Sequence, residues 1–287
     1  MCYCFQVKKH ISKLALSFAT FLFVFLLFTP YFTTDFMDLR QQKENEENYQ
    51  RFLQEKIAQE IAKRNAEDKI YLTGKFDPNL REDFALVPSQ YNIARYKMYL
   101  RKETLDAFGD MAEAAAKDSI ELNITSATRN FDYQKDLWNR KWDSTTLAEK
   151  KDLSEDMLDE IKRFKKILEY SAAPGTSRHH WGTEIDINSV TPKFFETSEG
   201  KKVYEWLQVN APVFGFCQTY NEKGESRQAG YNEEKWHWSY MPLSRTLTQE
   251  YKKLIKDEDI TGFLGDQYVP ALNLINNYVL NINPDCF

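Results

Sequence analysis

Three of the four histidines in this chain fall in two short segments, residues 175–188 and 233–240, and each segment carries carboxylates beside its histidines. In the first, Gly182 can make the tight backbone turn that lets the following strand fold back past His179. On a strand over 183–188, Thr183, Ile185 and Ile187 share one face, while Glu184, Asp186 and Asn188 share the other. The apolar face is then buried and Asp186 points into a polar site. In the second segment Glu234 and His237 are three apart, which on a regular strand puts them on opposite faces. Glu234 therefore sits at the bend leading into the strand, and Trp236 and Trp238 lie on the other face and pack into the core. His179, Asp186 and His237 form a candidate three-ligand set with Glu234 left over. The alternative for the first segment alone is a surface loop with two solvated histidines. Two neutral imidazoles and one carboxylate suit zinc with an open fourth position for water. Zinc lowers the pKa of such a water toward about 7, and a nearby carboxylate can take its proton. A hydrolase needs that arrangement to cleave an unactivated amide.

Composition narrows the classes. With 38 Lys+Arg against 43 Asp+Glu, the net charge of −5 argues against a general nucleic-acid binder. Ten Gly and nine Pro exclude collagen-like and low-complexity chains. Four scattered Cys are too few for a disulfide-stapled mini-domain or a Cys-rich zinc module. Cys217 and Cys286 would lie in an oxidising compartment and could pair, if the chain's N-terminus is a membrane device. That reading rests on Lys8, Lys9 and Lys13, which precede an apolar run continuing to Phe32. From Leu14 to Phe32 is about 19 uncharged residues, close to the roughly 20 a spanning helix needs. Asp35 and Asp38 follow, so lysines on one side place the N-terminus in the cytoplasm and the rest outside. A cleaved signal peptide is the rival reading, although the 29–34 exit offers a poor cleavage site.

The expected organisation is an anchor over 1–34, a charged helical stalk over 35–69 and a globular domain over 70–287. In the stalk Phe52, Leu53, Ile57 and Ile61 make only a thin stripe at helical spacing. Leu105, Phe108, Met111 and Ala115 fit a buried helix face. A second amphipathic helix would carry Leu153, Met157, Ile161, Phe164 and Leu168, capped by Ser154 and ended by Pro174-Gly175. Short strands are expected near 184–188, 214–219 and 236–240, with a polar hairpin loop over 221–230 between the last two. Val203, Trp206 and Leu207 suggest a short helix, and the tail from Thr246 to Tyr278 reads as helical. Helices, then clustered strands, then helices make an α+β pattern, not alternating βαβ units.

The motifs resemble those of VanY-type D-alanyl-D-alanine carboxypeptidases, in the zinc peptidase group that includes VanX dipeptidases and hedgehog-like folds. Ser177, His179, Gly182 and Asp186 match Ser-x-His-x-x-Gly-x-x-x-Asp, and Glu234, Trp236 and His237 match Glu-x-Trp-His. Ser126, Arg129 and Gln134 match a third stretch, Ser-x-x-Arg-x-x-x-x-Gln. The resemblance implies a small central antiparallel sheet carrying one zinc on His179, Asp186 and His237, flanked by helices. It implies Glu234 as the base, Arg129 as an oxyanion partner, and Ser177, Gln134 and Glu184 as substrate contacts. The implied substrates are peptidoglycan stem peptides outside the cytoplasm, with the membrane as the other partner through the N-terminal helix. No nucleic-acid or protein partner is evident. Carboxypeptidase and endopeptidase activities share this machinery, and a non-catalytic zinc-containing peptidoglycan-binding module is the reading from another class. One departure stands out: Glu184 occupies a position that is often small in the family. It either adds charge beside the zinc, binds a basic group of the substrate, or forms a salt bridge. His180 reads as a supporting residue whose side chain points away.

Overall fold

In a computed structural model of the chain, the backbone is described for residues 4–143 and 160–287, and side chains for residues 37–143 and 160–287. The chain divides into two units, Met1–Arg64 and Asn65–Phe287. The first is helical throughout its described part and belongs to helix α1 (Cys4–Leu72). Its polar side chains pair one turn apart, as Lys43 does with Glu47 and Gln50 with Glu46. Phe52, Ile57 and Ile61 are each more than half exposed. The uncharged run over 14–32 lies outside the described side chains. Among the described residues no helix is long and apolar enough to cross a membrane.

The second unit is an α+β fold built around a four-stranded antiparallel sheet of order β3-β4-β6-β5. These strands are β3 (Ile124–Ser126), β4 (Glu184–Ile187), β5 (Phe216–Gln218) and β6 (His237–Tyr240). A two-stranded hairpin, β1 (Phe84–Leu86) with β2 (Tyr99–Arg101), precedes it. Alternation along β4 and β6 sends Ile185, Ile187 and Trp238 into a core with Phe216 and helices α2 (Lys102–Lys117) and α5 (Ser198–Asn210). On α2, Phe108, Met111 and Ala115 supply the buried face at helical spacing. A second core gathers Trp138 of α3 (Phe131–Trp142), Phe164 of α4 (Glu160–Ile167), Trp181, and Tyr251 of α6 (Met241–Leu254). Asn130 caps α3 by accepting from the Tyr133 N–H.

Several expectations need correcting. The expected helix through Leu153 and Met157, with its Ser154 cap, falls partly on residues 144–159, outside the described residues; its described portion is α4. The tail is not continuously helical. The helix ends at Leu254, where Ile255 turns to extended backbone (φ −91°, ψ 136°), and short turns follow, with Gly262 and Gly265 in left-handed backbone (φ 100° and 86°). The segment holding His179, for which the sequence predicts no element, is a 3₁₀ turn, Arg178–Trp181. Strands β1, β2 and β3, three residues each, were not expected: pieces so short show no alternation to read. Cys217 and Cys286 do pair, in a disulfide that fastens the C-terminus to β5. Backbone and side-chain bonds from Asn283 to Thr219 and Gln218 run beside it.

Candidate active site

The ladder between β4 and β6 sets Asp186 directly opposite His237. Residues paired across an antiparallel ladder point to the same face, so the two side chains meet without any further adjustment. His179 reaches the same place from the 3₁₀ turn. That turn ends at Gly182, whose left-handed backbone (φ 75°) reverses the chain into β4. One donor atom from each of His179, Asp186 and His237 lies within 4.8 Å of the others, and all three residues are buried.

Hydrogen bonds behind the rings decide which nitrogen faces inward. Nδ1 of His179 lies 2.7 Å from the carbonyl oxygen of Ala127. A carbonyl only accepts, so Nδ1 carries the hydrogen and Nε2 keeps its lone pair. Nε2 stands 3.3 Å from Oδ1 of Asp186, yet among the described residues neither atom has a hydrogen-bond partner. His237 is turned the other way: Nε2 donates to Oε2 of Glu184 at 3.0 Å, leaving Nδ1 inward, 3.4 Å from Asp186 and 3.2 Å from Oε2 of Glu234. Buried polar atoms left without partners are costly. Two imidazole nitrogens and a carboxylate oxygen converge on one point, two of them without partners among the described residues, an arrangement that a divalent cation would satisfy.

Electrostatics agree. Burial alone would raise the carboxyl of Asp186, but the neighbouring His179 and His237 bring it down to about 2. Burial would lower His237, yet its bonds to Glu184 and Glu234 push it up to about 9, a measure of how much negative charge faces it. Glu234 is raised, first by burial and then by the nearby Asp186, against the opposing pull of His237. A carboxylate raised above its ordinary range holds a proton more readily than an exposed one, which suits a group that takes up and returns a proton. Its position is held by the backbone: the Glu234 N–H donates to the Tyr220 carbonyl, and the Gln218 amide donates to the Glu234 carbonyl.

Arg129 lies on the loop between β3 and α3. Its guanidinium is 3.7 Å from Oδ2 of Asp186 and donates to Oγ of Ser126. Its backbone is stitched to the histidine turn, with its N–H on the His179 carbonyl and its carbonyl on Nδ1 of His180. His180 also accepts from the Gly175 N–H, so both ring nitrogens are occupied and burial pushes it down to about 3. It is a neutral structural residue.

All of this opens onto a cavity of about 960 Å³. Ser177 and Gln134 line it beside the ligand set and Arg129. Glu184 does not: it is fully buried, and its oxygens are taken by Arg178, Ser239, Thr219 and His237. Of its three anticipated roles, the substrate contact is therefore corrected to a salt bridge, with Arg178. Trp236 is corrected too. Trp238 is in the core, but Trp236 stands in the cavity wall against Tyr170 and Phe195. Two further wall residues were not anticipated. Lys141 donates to Ser171 and is lowered to about 8, first by burial and then by Arg129. Tyr231, buried, stands in the same wall. Lys141 is two helical turns beyond Gln134 on α3, a spacing that could have pointed to it. Nothing local points to Tyr231.

A model of the VanY family, described as D-alanyl-D-alanine carboxypeptidase, matches residues 97–243. Among curated proteins, the chain is 28% identical over 198 residues to YodJ of Bacillus subtilis, covering 66% of this chain and 61% of that protein. It is 25% identical over 177 residues to a D-alanyl-D-alanine carboxypeptidase of Enterococcus faecalis, covering 60% and 61%. The chain thus spans about three fifths of the length of these relatives. Among solved structures, the LdcB LD-carboxypeptidase aligns with 26% identity and a TM-score of 0.45, over 64% of this chain and 81% of that one. A VanY D,D-pentapeptidase solved in complex with Zn(II) aligns with 22% identity and a TM-score of 0.42, over 61% and 94%.

Proposed function

The chain belongs to the VanY family of D-alanyl-D-alanine carboxypeptidases, and from this premise we propose that it is a zinc metallopeptidase acting on peptidoglycan stem peptides. The reaction we assign is removal of a C-terminal D-alanine. The observation that carries the metal assignment is the convergence of His179 Nε2, Asp186 Oδ1 and His237 Nδ1, with the first two lacking any partner among the described residues. Two nitrogens and one oxygen in a buried site fit zinc and leave a fourth position open. When bound there, the ion supplies a Lewis acid that polarises the substrate carbonyl and acidifies water.

The chain's own residues do the rest. Glu234, held at the lip of the set, accepts the proton of the attacking water at a carboxylate oxygen and returns it to the departing amine. Its raised pKa suits both steps. Arg129 offers guanidinium N–H groups to the negative charge that grows on the carbonyl oxygen. Asp186 keeps Arg129 in place from 3.7 Å. Ser177 and Gln134 are assigned to substrate contact from their places in the wall. The Cys217–Cys286 disulfide supports action outside the cytoplasm, where such bonds persist. Residues 1–34 are assigned as the anchor on the uncharged run alone.

The test is to incubate the zinc-loaded protein with purified muropeptides and weigh the products. Loss of one alanine from pentapeptide stems supports the carboxypeptidase. Products cut within cross-links support an endopeptidase using the same groups. Binding to peptidoglycan with no product from any stem would make the chain a binding module.

A further inference from the structure

We propose that Glu184, braced by Arg178, is a positioning residue that holds the His237 ring with Nδ1 turned toward the metal site. The inference rests on the metallopeptidase reading of that site and adds to it the group that selects one face of a ligand ring.

The carboxylate of Glu184 is immobilised from both oxygens. Oε1 accepts from Arg178 Nε at 3.1 Å and from Ser239 Oγ at 2.7 Å. Oε2 accepts from Thr219 Oγ1 at 3.1 Å and from His237 Nε2 at 3.0 Å. Glu184 and Arg178 have no exposed side-chain surface, so water cannot substitute for any of these partners. Arg178 is fixed in turn: it donates to Thr248 Oγ1 at 2.8 Å and lies over the Trp181 ring at 4.5 Å. The unit reaches from the histidine turn through β4 and β6 to α6. Its placement follows from register, because Glu184 pairs with Ser239 as Asp186 pairs with His237.

The consequence concerns a ring with two chemically different nitrogens. A carboxylate accepts and does not donate, so the nitrogen facing Glu184 must carry hydrogen and the other is free to bind a metal. Among the described residues, Glu184 is the hydrogen-bond acceptor that His237 Nε2 meets. Arg178 and Glu184 also occupy unspecified positions of Ser-x-His-x-x-Gly-x-x-x-Asp. This chain fills them with opposite charges, and the pair braces His237 from behind while adjoining His179 in sequence.

The experiment compares zinc affinity by chelator competition in the full chain, alongside thermal melting of the metal-free protein. Glu184→Gln keeps the size of the side chain but replaces the acceptor pair with an amide. Zinc affinity is expected to fall about 10- to 100-fold, the usual effect of losing such a partner. Thr219→Val removes a different bond to the same carboxylate. It is expected to lower the melting temperature while leaving zinc affinity within about threefold of wild type, a margin set by the same comparison. If Glu184→Gln leaves Arg178 buried without its counter-charge and does not fold, the double variant Arg178→Met, Glu184→Met removes both charges together with the acceptor and is read the same way. Unchanged zinc affinity in these variants overturns the inference and leaves the peptidase reading intact. An equal loss in Thr219→Val also overturns it, since general loosening would then explain the effect. A wild type that binds no zinc overturns both. Zinc loss in Glu184→Gln, with a wild type that hydrolyses no stem peptide, upholds the positioning role and removes the peptidase.

Discussion

Replacing Gly182 by Ala should damage fold and site together. The backbone there has φ 75°, a left-handed conformation that costs an L-residue about 1–2 kcal/mol. A Cβ at that point would lie 2.4 Å and 2.8 Å from ring atoms of Phe84 and 3.1 Å from Cγ of Arg101. Carbon atoms pack at about 3.5–4.0 Å, so the Phe84 ring must retreat by roughly 1 Å or the turn must open. Phe84 is itself buried, and overpacking of this kind costs about 1–3 kcal/mol. Gly182→Ala should therefore destabilise by about 2–5 kcal/mol in urea unfolding of the metal-free protein. Because Gly182 separates His179 from Asp186, the opened turn should also weaken zinc binding. Gly224→Ala is the control: nothing lies within 4 Å of its Cβ, and the change should stay within about 0.5 kcal/mol. A Gly182→Ala protein less than about 1 kcal/mol below wild type would refute the steric reasoning and the role given to this turn.

Four other outcomes are expected. Purified protein should carry about one zinc per chain, in line with a three-ligand catalytic site, and the double variant His179→Ala, His237→Ala should lose it by elemental analysis. Glu234→Gln should keep zinc while stem-peptide hydrolysis falls by about 10²–10⁴-fold; loss of zinc instead would make Glu234 a ligand. Arg129→Ala should lower kcat by roughly 10²–10³-fold, the effect of removing one oxyanion donor, measured by D-alanine release. Reducing the Cys217–Cys286 disulfide, which closes a separation of 69 residues, should cost about 4 kcal/mol on the chain-entropy model, seen as a lower melting temperature in dithiothreitol.

Much of the candidate site is local and therefore legible. A period of two places Asp186 and Glu184 on one face of β4 and Ile185 and Ile187 on the other, and any chain with this alternation does the same. The glycine after His179 signals a reversal because few other residues accept its backbone. A spacing of three positions from Glu234 to His237 puts the glutamate in the bend, where the structure has it, 3.2 Å from the ring. Cys217 and Cys286 could be read as available to pair, but their meeting depends on how the tail packs against β5.

Other features depend on contacts distant in sequence. Trp236 has the composition of a core residue, yet β6 begins one residue later, and the bend turns Trp236 into the cavity wall. Glu184 looks like a free carboxylate until the ladder sets Ser239 opposite it and the turn delivers Arg178. The tail has helical composition, but it turns to extended backbone at Ile255, passes two left-handed glycines and packs against the second core as short turns. Side-chain direction along a strand is a property of neighbouring peptide units, and one segment carries it whole. Which strand lies alongside, in what register, and which polar atom meets a buried charge follow from ladders that join residues some fifty positions apart, such as Asp186 and His237. Those pairings balance loop closure against burial across the whole domain, and no local pattern of residues encodes that balance.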